Sequence, residues 1–416
     1  MKSIPQDPAP DNTVALLREG YNFIPHRCQR YHSDLFATRL LLQQTICMRG
    51  EAAAQLFYDT DRFSRQGAMP SAVRNSLLGF HGVQGLDGEA HQHRKGMLMS
   101  LMVPPRIAAL TQLLQQQWHV YIEKWQRREQ VVLLDELREV IFSAVCMWSG
   151  VPLLAAEVPD RTAQIGERID GAATIGPLYL QAWQARHTTE SWIADVIMRT
   201  RAGQVNPPPD SALAVISQHR DLDGKLLDAN VAAVELINIL RPTTAIARWL
   251  VFVALALHEH PHYRAKLQEA DDEYIEWFVQ EVRRYYPFFP MTAACVKEDF
   301  TWRDYHFPKG TRVLLDLYGT DHDARLWQKP EKFWPERFRE EDVTPFNLIP
   351  QGGGDYNMNH RCAGEWITLA LMKAGIHMLV EVMDYGVPPQ DLTVSLSDMP
   401  AAPKSRFIIS QVRRRS

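Results

Sequence analysis

The chain has 416 residues, of which 46% are hydrophobic and 23% charged, as in a globular protein that buries a large core. A formal net charge of -4 and the lack of a long basic run argue against nucleic-acid binding, and Arg413–Arg415 is too short to be a binding patch. Five scattered cysteines without CxxC spacing fit a reducing compartment. Because no apolar signal region or membrane-spanning run is visible, the sequence predicts a cytoplasmic protein without a transmembrane segment.

The predicted elements start with a mixed, proline-containing segment over residues 1–35, which we interpret as a less regular N-terminal arm. Residues 36–57 are predicted to be largely helical, with a short strand toward their end. A glycine-rich loop then leads into a helix within residues 80–102. Further helical patterns cover residues 110–125, 134–148, 160–200, 228–258 and 273–286.

The triple proline at residues 207–209 is the clearest interruption of these patterns. It would suit a domain boundary, but no Ser/Gly linker accompanies it, so a loop within one domain is favoured. After Pro290 the pattern changes to short strands such as residues 311–317, which follow a Pro-Lys-Gly turn. The sequence therefore predicts one domain over residues 1–416, mainly α with a small β-rich subregion near the C-terminus.

One cysteine, Cys362, ends a loop rich in glycine and asparagine (residues 351–361) and precedes a clear helical pattern. Free N–H groups and the dipole at a helix start favour negative charge, so we expect this thiol to be biased toward thiolate. Glycines let the backbone pass close to a flat, bulky group. The loop is suited to deliver a sulfur ligand to a metal macrocycle, although a buried structural cysteine is an equally good interpretation of this stretch alone.

A strongly apolar helical stretch, residues 232–249, contains Arg241 followed by Pro242. An unpaired charge there is costly, so an anion is expected to meet Arg241, and Glu235 lies on a different face of the helix. Pro242 removes the hydrogen bond to the carbonyl of Asn238 and should kink or open the helix. Either Arg241 binds the carboxylate of an otherwise apolar ligand, or it pairs with a distant Asp or Glu across the core.

Three motifs in a fixed order carry a family resemblance. Glu281 and Arg284 form an E-x-x-R pair on a predicted helix, Arg337 lies in a P-E-R-F segment, and the Cys362 loop follows. This order and spacing resemble the cytochrome P450 superfamily. The resemblance implies a cytochrome P450 fold, a haem b cofactor with Cys362 as the axial ligand of its iron, and a buried structural triad of Glu281, Arg284 and Arg337.

Two departures narrow the resemblance. Met358 stands where typical members have a glycine four residues before the cysteine, and Arg241-Pro242-Thr243 replaces the acidic residue and threonine that relay protons in the usual distal helix. Both departures, together with residues 83–91, resemble the bacterial fatty-acid peroxygenase branch, which hydroxylates or decarboxylates fatty acids with hydrogen peroxide. The resemblance favours the interpretation of Arg241 as a carboxylate clamp.

The branch implies hydroxylation of long-chain fatty acids at the α and/or β carbon, with hydrogen peroxide as co-substrate and decarboxylation to a terminal alkene as a side reaction. No obligatory reductase is then needed. Because the stretch around Arg241 and Pro242 offers no acid, a substrate carboxylate bound by Arg241 is expected to act as the general acid and base.

Further site residues follow from the same resemblance. Gln84 stands where decarboxylating relatives carry His, and a neutral amide there favours hydroxylation. Phe288 and Phe289 are expected to line the pocket near the carboxylate, with core packing as the alternative. Leu78 stands where several relatives have Phe, which leaves the choice between the α and β carbon open.

Basic residues are implied to contact the haem propionates. His91 and Lys95 lie one helical turn apart and match the family's propionate-binding pair, with Lys in place of Arg, while Arg65 is a third candidate. A solvated basic face is the alternative. The alternating histidines of residues 258–262 lack further ligands nearby and are interpreted as a helix end at the surface, not a metal site.

Two other functions remain open at this point. A conventional haem-thiolate monooxygenase would depend on a reductase, and Arg241-Pro242 argues against it. A haem-binding or sensing protein without catalysis would have no use for an anionic clamp.

Overall fold

The apolar patterns described above become long helices in the computed structural model, which describes residues 2–415. The predicted helices are confirmed with shifts of a few residues at their ends, apart from the two corrections given below. The α-helices of seven residues or more are Thr13–Glu19, Phe23–Tyr31, Glu51–Phe57, Gly88–Met99, Pro104–Trp125, Leu133–Ser149, Val158–Asp170, Pro177–Arg201, Ala212–Gln218, Ala229–Glu259, His262–Gln268, Asp272–Tyr285 and Glu365–His377.

One helix, Ala229–Glu259, forms the centre of the structure and is called the central helix below. Its N-terminus is capped by the Asp228 side chain, which accepts the N–H of Asn230, and the helix continues through Pro242. It packs against Leu133–Ser149, Pro177–Arg201 and Glu365–His377. By length and composition it could cross a membrane, but 89% of its most apolar window is buried inside the protein, as expected of a core helix.

A hairpin replaces most of the first predicted helix. Leu35–Leu40 and Gln43–Met48 are antiparallel strands, with Leu35 opposite Met48 and Leu40 opposite Gln43, and only Glu51–Phe57 is helical. The prediction of a largely helical segment over residues 36–57 was therefore wrong. The turn at Leu41 and Leu42 takes φ values of 52° and 61° without the Gly, Asn or Asp that usually marks such a turn.

The main sheet joins distant parts of the chain. Its five strands are ordered Leu35–Leu40, Gln43–Met48, Arg312–Asp316, Met291–Val296 and Phe63–Ser64. The second and third are parallel, and the other neighbours are antiparallel. The expected β-rich subregion exists, but it takes strands from the N-terminal part as well, so its predicted position near the C-terminus was incomplete. Smaller sheets pair Phe300–Trp302 with Tyr305–Phe307, and Ile408–Arg414 with Gln130–Val132 and Met383–Gly386.

The predicted helix over residues 160–200 is two helices, Val158–Asp170 and Pro177–Arg201. A turn at residues 171–176 separates them, and it ends at Gly176 with a φ of 73°, a conformation that favours glycine. Pro177 then starts the second helix, where its fixed φ is suitable and its missing N–H costs nothing. The Gly-Pro pair was the signal for this break.

The N-terminal arm contains the helices Thr13–Glu19 and Phe23–Tyr31. Tyr21, between them, is 1% exposed and donates a hydrogen bond of 2.7 Å to the carbonyl oxygen of Phe288. The triple proline lies between the helices that end at Arg201 and begin at Ala212. The single-domain organisation and the cytoplasmic location stay predictions.

Candidate active site

The loop of residues 351–364, called the cysteine loop below, is closed by backbone contacts. The N–H of Cys362 donates to the carbonyl of Gln351 at 3.2 Å, and the Gln351 side-chain amide lies 3.6 Å from the Cys362 sulfur. Gly352 and Gly354 have φ values of 88° and 82°, and a Cβ on Gly353 would lie 2.4 Å from the carbonyl oxygen of Pro345. The glycines are therefore required for the shape that holds the sulfur in place.

The Cys362 thiol has a pKa above its ordinary value because burial outweighs the other influences, and the Glu365 carboxylate raises it further. The Gly364 N–H, Lys95 and Arg283 act in the opposite direction. The expected bias toward thiolate from the helix start alone was thus wrong, because desolvation of the thiolate is the larger effect. A metal cation at the sulfur would reverse the balance, since a coordinating thiol is deprotonated.

Basic side chains gather beside the cysteine loop: Arg65, His91, Lys95 and His360, called the cationic recess below. The rings of His91 and His360 lie 3.9 Å apart between centroids. Burial, with Lys95 adding to it, lowers the pKa of His91 to about 4, and burial lowers that of Lys95 to about 8. The Asp87 carboxylate faces this group, with an oxygen 4.0 Å from His360 Nε2. Near neutral pH the positive charge of the recess is therefore carried by Arg65 and Lys95, while the neutral imidazole of His91 can donate an N–H, and this combination suits an anion.

Two members of the recess are anchored by backbone carbonyls. Arg65 Nη1 donates to the carbonyl of Ala293 at 2.7 Å. Lys95 Nζ donates to the carbonyls of Asn359 and Arg361 at 3.0 and 2.5 Å, so its ammonium group lies on the cysteine loop. The structure thus brings the predicted residues Arg65, His91 and Lys95 together, and it adds His360, which the sequence interpretation used only as a motif match.

Arg241 is the buried cation of the central helix. It is 6% exposed; its Nη1 donates to the carbonyl of Leu77, and its Nη2 donates to Asn238 Oδ1 at 3.3 Å. Within residues 2–415 no carboxylate oxygen lies within ion-pair distance of its guanidinium nitrogens. Burial lowers the pKa of Arg241 to about 10. The pairing with a distant Asp or Glu that the sequence left open is therefore not found, and the buried charge is free to meet an anion.

Asn238 connects Arg241 to two further side chains. Its Nδ2 donates to Gln84 Oε1 and to Glu235 Oε2, both at 3.1 Å. Glu235 Oε1 accepts the N–H of Val83 and Nη1 of Arg94, both at 2.8 Å. The carboxylate of Glu235 is thus fully engaged and, as expected, does not pair with Arg241. The signal that could have revealed this network is that Asn238 lies three residues from both Glu235 and Arg241, so it is a helical neighbour of each.

A second buried arginine shares the carbonyl that Arg241 uses. Arg168 Nη2 donates to the Leu77 carbonyl at 2.8 Å, and its Nη1 donates to Thr189 Oγ1 at 2.6 Å. Glu190, which forms a 2.7 Å ion pair with Arg186, lies 3.7 Å from Arg168. The guanidinium groups of Arg168 and Arg186 therefore share one carboxylate, which acts on Arg241 only from beyond ion-pair distance. This region carries excess positive charge. Sequence reasoning missed Arg168 because its contacts are remote in the chain.

The predicted pocket residues differ in burial and in their distance along the chain from the contacts of Arg241. Leu78 is half-buried at the end of the π-helical turn Arg74–Leu78, directly after the carbonyl that Arg241 contacts. Phe288 is buried and stacks on Trp249, with ring centroids 4.4 Å apart. Phe289 is 44% exposed. The structure therefore places Leu78 and Gln84 near Arg241, and the pocket roles of Phe288 and Phe289 stay predictions.

The predicted triad is assembled completely. Arg284 donates from Nε and Nη2 to the two oxygens of Glu281 at 2.8 and 2.9 Å, and Arg337 Nε donates to Glu281 Oε2 at 3.1 Å. All three residues are at most 1% exposed. The remaining N–H groups of Arg284 and Arg337 are taken by backbone carbonyls, such as those of Asp321 and Lys332. The group is internally satisfied and has no capacity left for a ligand.

Comparisons with known proteins agree with this geometry. A family model described as cytochrome P450 matches residues 243–400. A solved structure of cytochrome P450EX alpha (CYP152N1) with myristic acid is 44% identical and covers all of both chains, with a TM-score of 0.96. Cytochrome P450SP alpha (CYP152B1) in complex with (R)-ibuprofen is 47% identical over 97% of this chain and 99% of that chain, with a TM-score of 0.96.

A third solved structure, cytochrome P450 OleT in complex with arachidonic acid, is 34% identical over 100% of this chain and 99% of that chain. Its TM-score is also 0.96. These likenesses extend over the whole chain, including the parts that the family model does not match.

Proposed function

Because this chain belongs to the cytochrome P450 superfamily, in its CYP152 branch of fatty-acid peroxygenases, we propose that it hydroxylates long-chain fatty acids at the α or β carbon with hydrogen peroxide as the oxidant. Membership of this family supports the general class of the enzyme, a haem-thiolate oxidoreductase. Use of peroxide, independence from a reductase, and decarboxylation to a terminal alkene as a side reaction are parts of the proposal.

The residues fit a haem cofactor by the chemistry of their donors. Cys362 offers a half-buried sulfur on a loop whose shape depends on its glycines, and it would hold the iron. His91 and Arg65, with Lys95 and His360 beside them, would hold the haem carboxylates, because this recess has an excess of buried basic groups. When bound, haem with a thiolate ligand supplies the oxidising chemistry and favours cleavage of the O–O bond of peroxide.

The observation that carries the proposal is the buried guanidinium of Arg241, which has no carboxylate within ion-pair distance among residues 2–415. A fatty-acid carboxylate would replace the weak contact to Asn238 with charge-assisted hydrogen bonds, while the alkyl chain would lie among apolar residues. Myristic acid, arachidonic acid and (R)-ibuprofen, the molecules in the three similar structures, differ in their hydrocarbon parts and share a carboxylic acid group. This common group supports Arg241 as the residue that recognises the substrate.

The bound carboxylate would also handle the proton. Peroxide cleavage needs a base at one oxygen and then an acid at the other. Glu235 is the acidic residue in the interior of the central helix, and its oxygens are occupied by Val83, Arg94 and Asn238. The substrate carboxylate, held by Arg241, would therefore accept the proton from one peroxide oxygen and return it to the other. Pro242 and Gln84 would shape the space around it.

The proposal also explains the position of the reaction. A carboxylate fixed at Arg241 brings the α and β carbons closest to the oxidant, since they are the first carbons of the chain. Gln84, held by Asn238 at 3.1 Å, is a neutral amide and favours hydroxylation over decarboxylation. Leu78 and the aromatic residues Phe288 and Phe289 would influence the path of the chain.

The deciding experiment is turnover of myristic acid by the haem-loaded protein with hydrogen peroxide alone, followed by mass spectrometry. We expect 2- or 3-hydroxymyristic acid without any reductase. The variant Arg241→Ala should retain haem and lose turnover, whereas Arg199→Ala, which removes an exposed arginine, should remain active.

Two results would contradict the proposal. Product formation only when a reductase and NAD(P)H are added would identify a conventional monooxygenase. Unchanged peroxide turnover in haem-loaded Arg241→Ala would show that the carboxylate is not bound there. A terminal alkene as the main product would keep the class and overturn the role given to Gln84.

A further inference from the structure

A cluster of two histidines and one aspartate lies away from the cysteine loop, where the helix Gly88–Met99 meets the turn after Ala212–Gln218. One ligand atom each from His93, His219 and Asp221 lies within 4.8 Å of the other two. We propose that these three residues bind a divalent first-row transition-metal ion of the zinc type. The proposal is independent of the function proposed above, because none of the three belongs to the haem or substrate residues.

The imidazole rings of His93 and His219 lie next to each other. Their ring centroids are 4.8 Å apart. His219 Nε2 is buried and has no hydrogen-bond partner among the described residues, so a polar atom is left without a contact.

One ring nitrogen of His93, Nε2, is already held by a hydrogen bond. Its Nε2 lies 2.8 Å from the carbonyl oxygen of Arg220, and because a carbonyl only accepts, that nitrogen must carry the proton. The other ring nitrogen is then the one with the lone pair. Metal-binding histidines usually donate their second N–H to a carbonyl or carboxylate in this way, which fixes the tautomer and the ring orientation.

Asp221 supplies the charge. Its Oδ2 accepts Nη2 of Arg94 at 2.7 Å, which leaves Oδ1 for an ion. Arg94 would weaken cation binding if it were alone, but it also forms a 2.8 Å ion pair with the fully buried Glu235. Since Glu235 offsets the charge of Arg94, the charge of Asp221 remains for the metal. Arg94 then orients the carboxylate as an outer-sphere partner.

The ligand set selects the class of ion. Imidazoles with one carboxylate suit zinc and the late first-row divalent metals, whereas calcium and magnesium prefer oxygen alone. Three protein ligands leave at least one position for water. The ion would join residues that are far apart in the sequence, and so stabilise the turn that leads into the central helix against the helix Gly88–Met99.

The test is calorimetric titration of zinc chloride into the haem-loaded, chelator-treated protein near neutral pH. We expect one zinc site per chain, lost in His219→Ala and weakened at least about tenfold in Asp221→Asn. His262→Ala, which removes an exposed histidine elsewhere, is the matched control and should bind zinc as the unchanged protein does. Haem absorbance and circular dichroism verify that each variant is folded.

If His219→Ala does not fold, His93→Ala replaces it, since His93 lies at the surface. Equal zinc affinity in the unchanged protein and in His219→Ala or His93→Ala would overturn the proposal, as would the absence of any binding. Anomalous diffraction at the zinc edge from soaked crystals must place the ion among the three side chains. A zinc ion bound only elsewhere would also overturn it.

Discussion

The triad of Glu281, Arg284 and Arg337 and the site around Arg241 are both built on buried guanidinium groups, yet they differ in how the charge is balanced. In the triad, one carboxylate accepts three hydrogen bonds from two arginines, and backbone carbonyls take most of the other donors. Arg241 has a carbonyl and an amide oxygen, but no carboxylate within ion-pair distance among residues 2–415. A satisfied buried ion group serves the fold, whereas an unsatisfied one is available for a ligand.

Because of this difference, substitutions in the two regions should change different properties: stability in the triad, and ligand binding at Arg241. Removing a partner from the triad leaves a buried charge without compensation, so stability should suffer. Removing Arg241 eliminates a charge that the free protein balances only through the more distant Glu190, so stability should suffer less than in the triad and ligand binding should suffer. This division between stability and ligand binding can be tested by single substitutions.

Glu281→Gln should be the most destabilising change. It leaves Arg284 and Arg337 buried without a negative partner, and breaking a buried pair in this way costs about 3 to 5 kcal/mol. Thermal unfolding of the haem-loaded protein and the yield of haem-loaded chain are the measurements. Glu298→Gln is the control, because Glu298 and its partner Lys309 are both exposed, so its loss should be small. Equal losses in the two variants would contradict the division.

Arg241→Ala should weaken fatty-acid binding about tenfold to hundredfold. This corresponds to the free energy that hydrogen bonds to a charged group usually contribute. The unfolding free energy of this variant should fall by less than that of Arg284→Ala, because no ion pair is broken. Titration of myristic acid followed by the haem absorption band gives the affinity, and thermal unfolding gives the stability. Arg284→Ala, the same change in the triad, should instead lower stability strongly. Similar stability of the two variants would remove the contrast.

Asn238→Ala should weaken myristic acid binding by about a factor of five, equivalent to about 1 kcal/mol for one hydrogen-bond partner. Asn238 positions both Arg241 and Gln84, so the ratio of hydroxylated to decarboxylated product should change as well. Asn230→Ala lies on the same helix at an exposed position and serves as the control. An unchanged affinity and product ratio in Asn238→Ala would show that the network does not orient the clamp.

The smallest effect concerns pH and again distinguishes the two regions. Burial, with Arg284 adding to it, lowers the pKa of His322 beside the triad to about 3, against an ordinary value of about 6.5. The unfolded chain therefore binds a proton between those values while the folded chain does not, so this contribution to stability is complete above about pH 6.5 and falls as the pH decreases.

At pH 5.5 the loss attributable to His322 should be about 1 kcal/mol. His322→Gln should show a correspondingly weaker decrease in unfolding temperature between pH 7 and pH 5.5. The exposed His262→Gln should keep the original pH dependence. Parallel curves for all three proteins would mean that His322 is protonated equally in the folded and unfolded states.

The triad was predictable because each of its members has a local signal: Glu281 and Arg284 are one helical turn apart, and Arg337 lies in a short recognisable segment. Arg241 was predictable because a charge in an apolar helix demands an explanation. The main partner of Arg241 was not predictable, because the Leu77 carbonyl belongs to the backbone and has no side-chain pattern in the sequence. The cluster of His93 and His219 is likewise created only by the fold.

Two wrong predictions have separate physical causes. The hairpin at residues 35–48 turns at two leucines, so the usual turn residues were missing, and an apolar segment of this length is ambiguous between helix and strand. The prediction of a thiolate at Cys362 took account of the field at the helix start but not of desolvation. Desolvation has the larger influence on the pKa of this thiol in the folded chain. Burial is a property of the assembled fold and is only indirectly visible in a sequence.

The shared carbonyl of Leu77 has a consequence for how this site tolerates mutation. Arg241 and Arg168 are anchored by a main-chain oxygen, whereas the neighbouring Leu78 contributes only its side chain to the surroundings. If the proposed function holds, substitutions at Leu78 that keep the π-helical turn would vary the space for the hydrocarbon part without disturbing the anchor for the acid group. Recognition of the acid group and selection of the hydrocarbon would then be separable, and random mutagenesis or directed evolution could change the second while the first is kept.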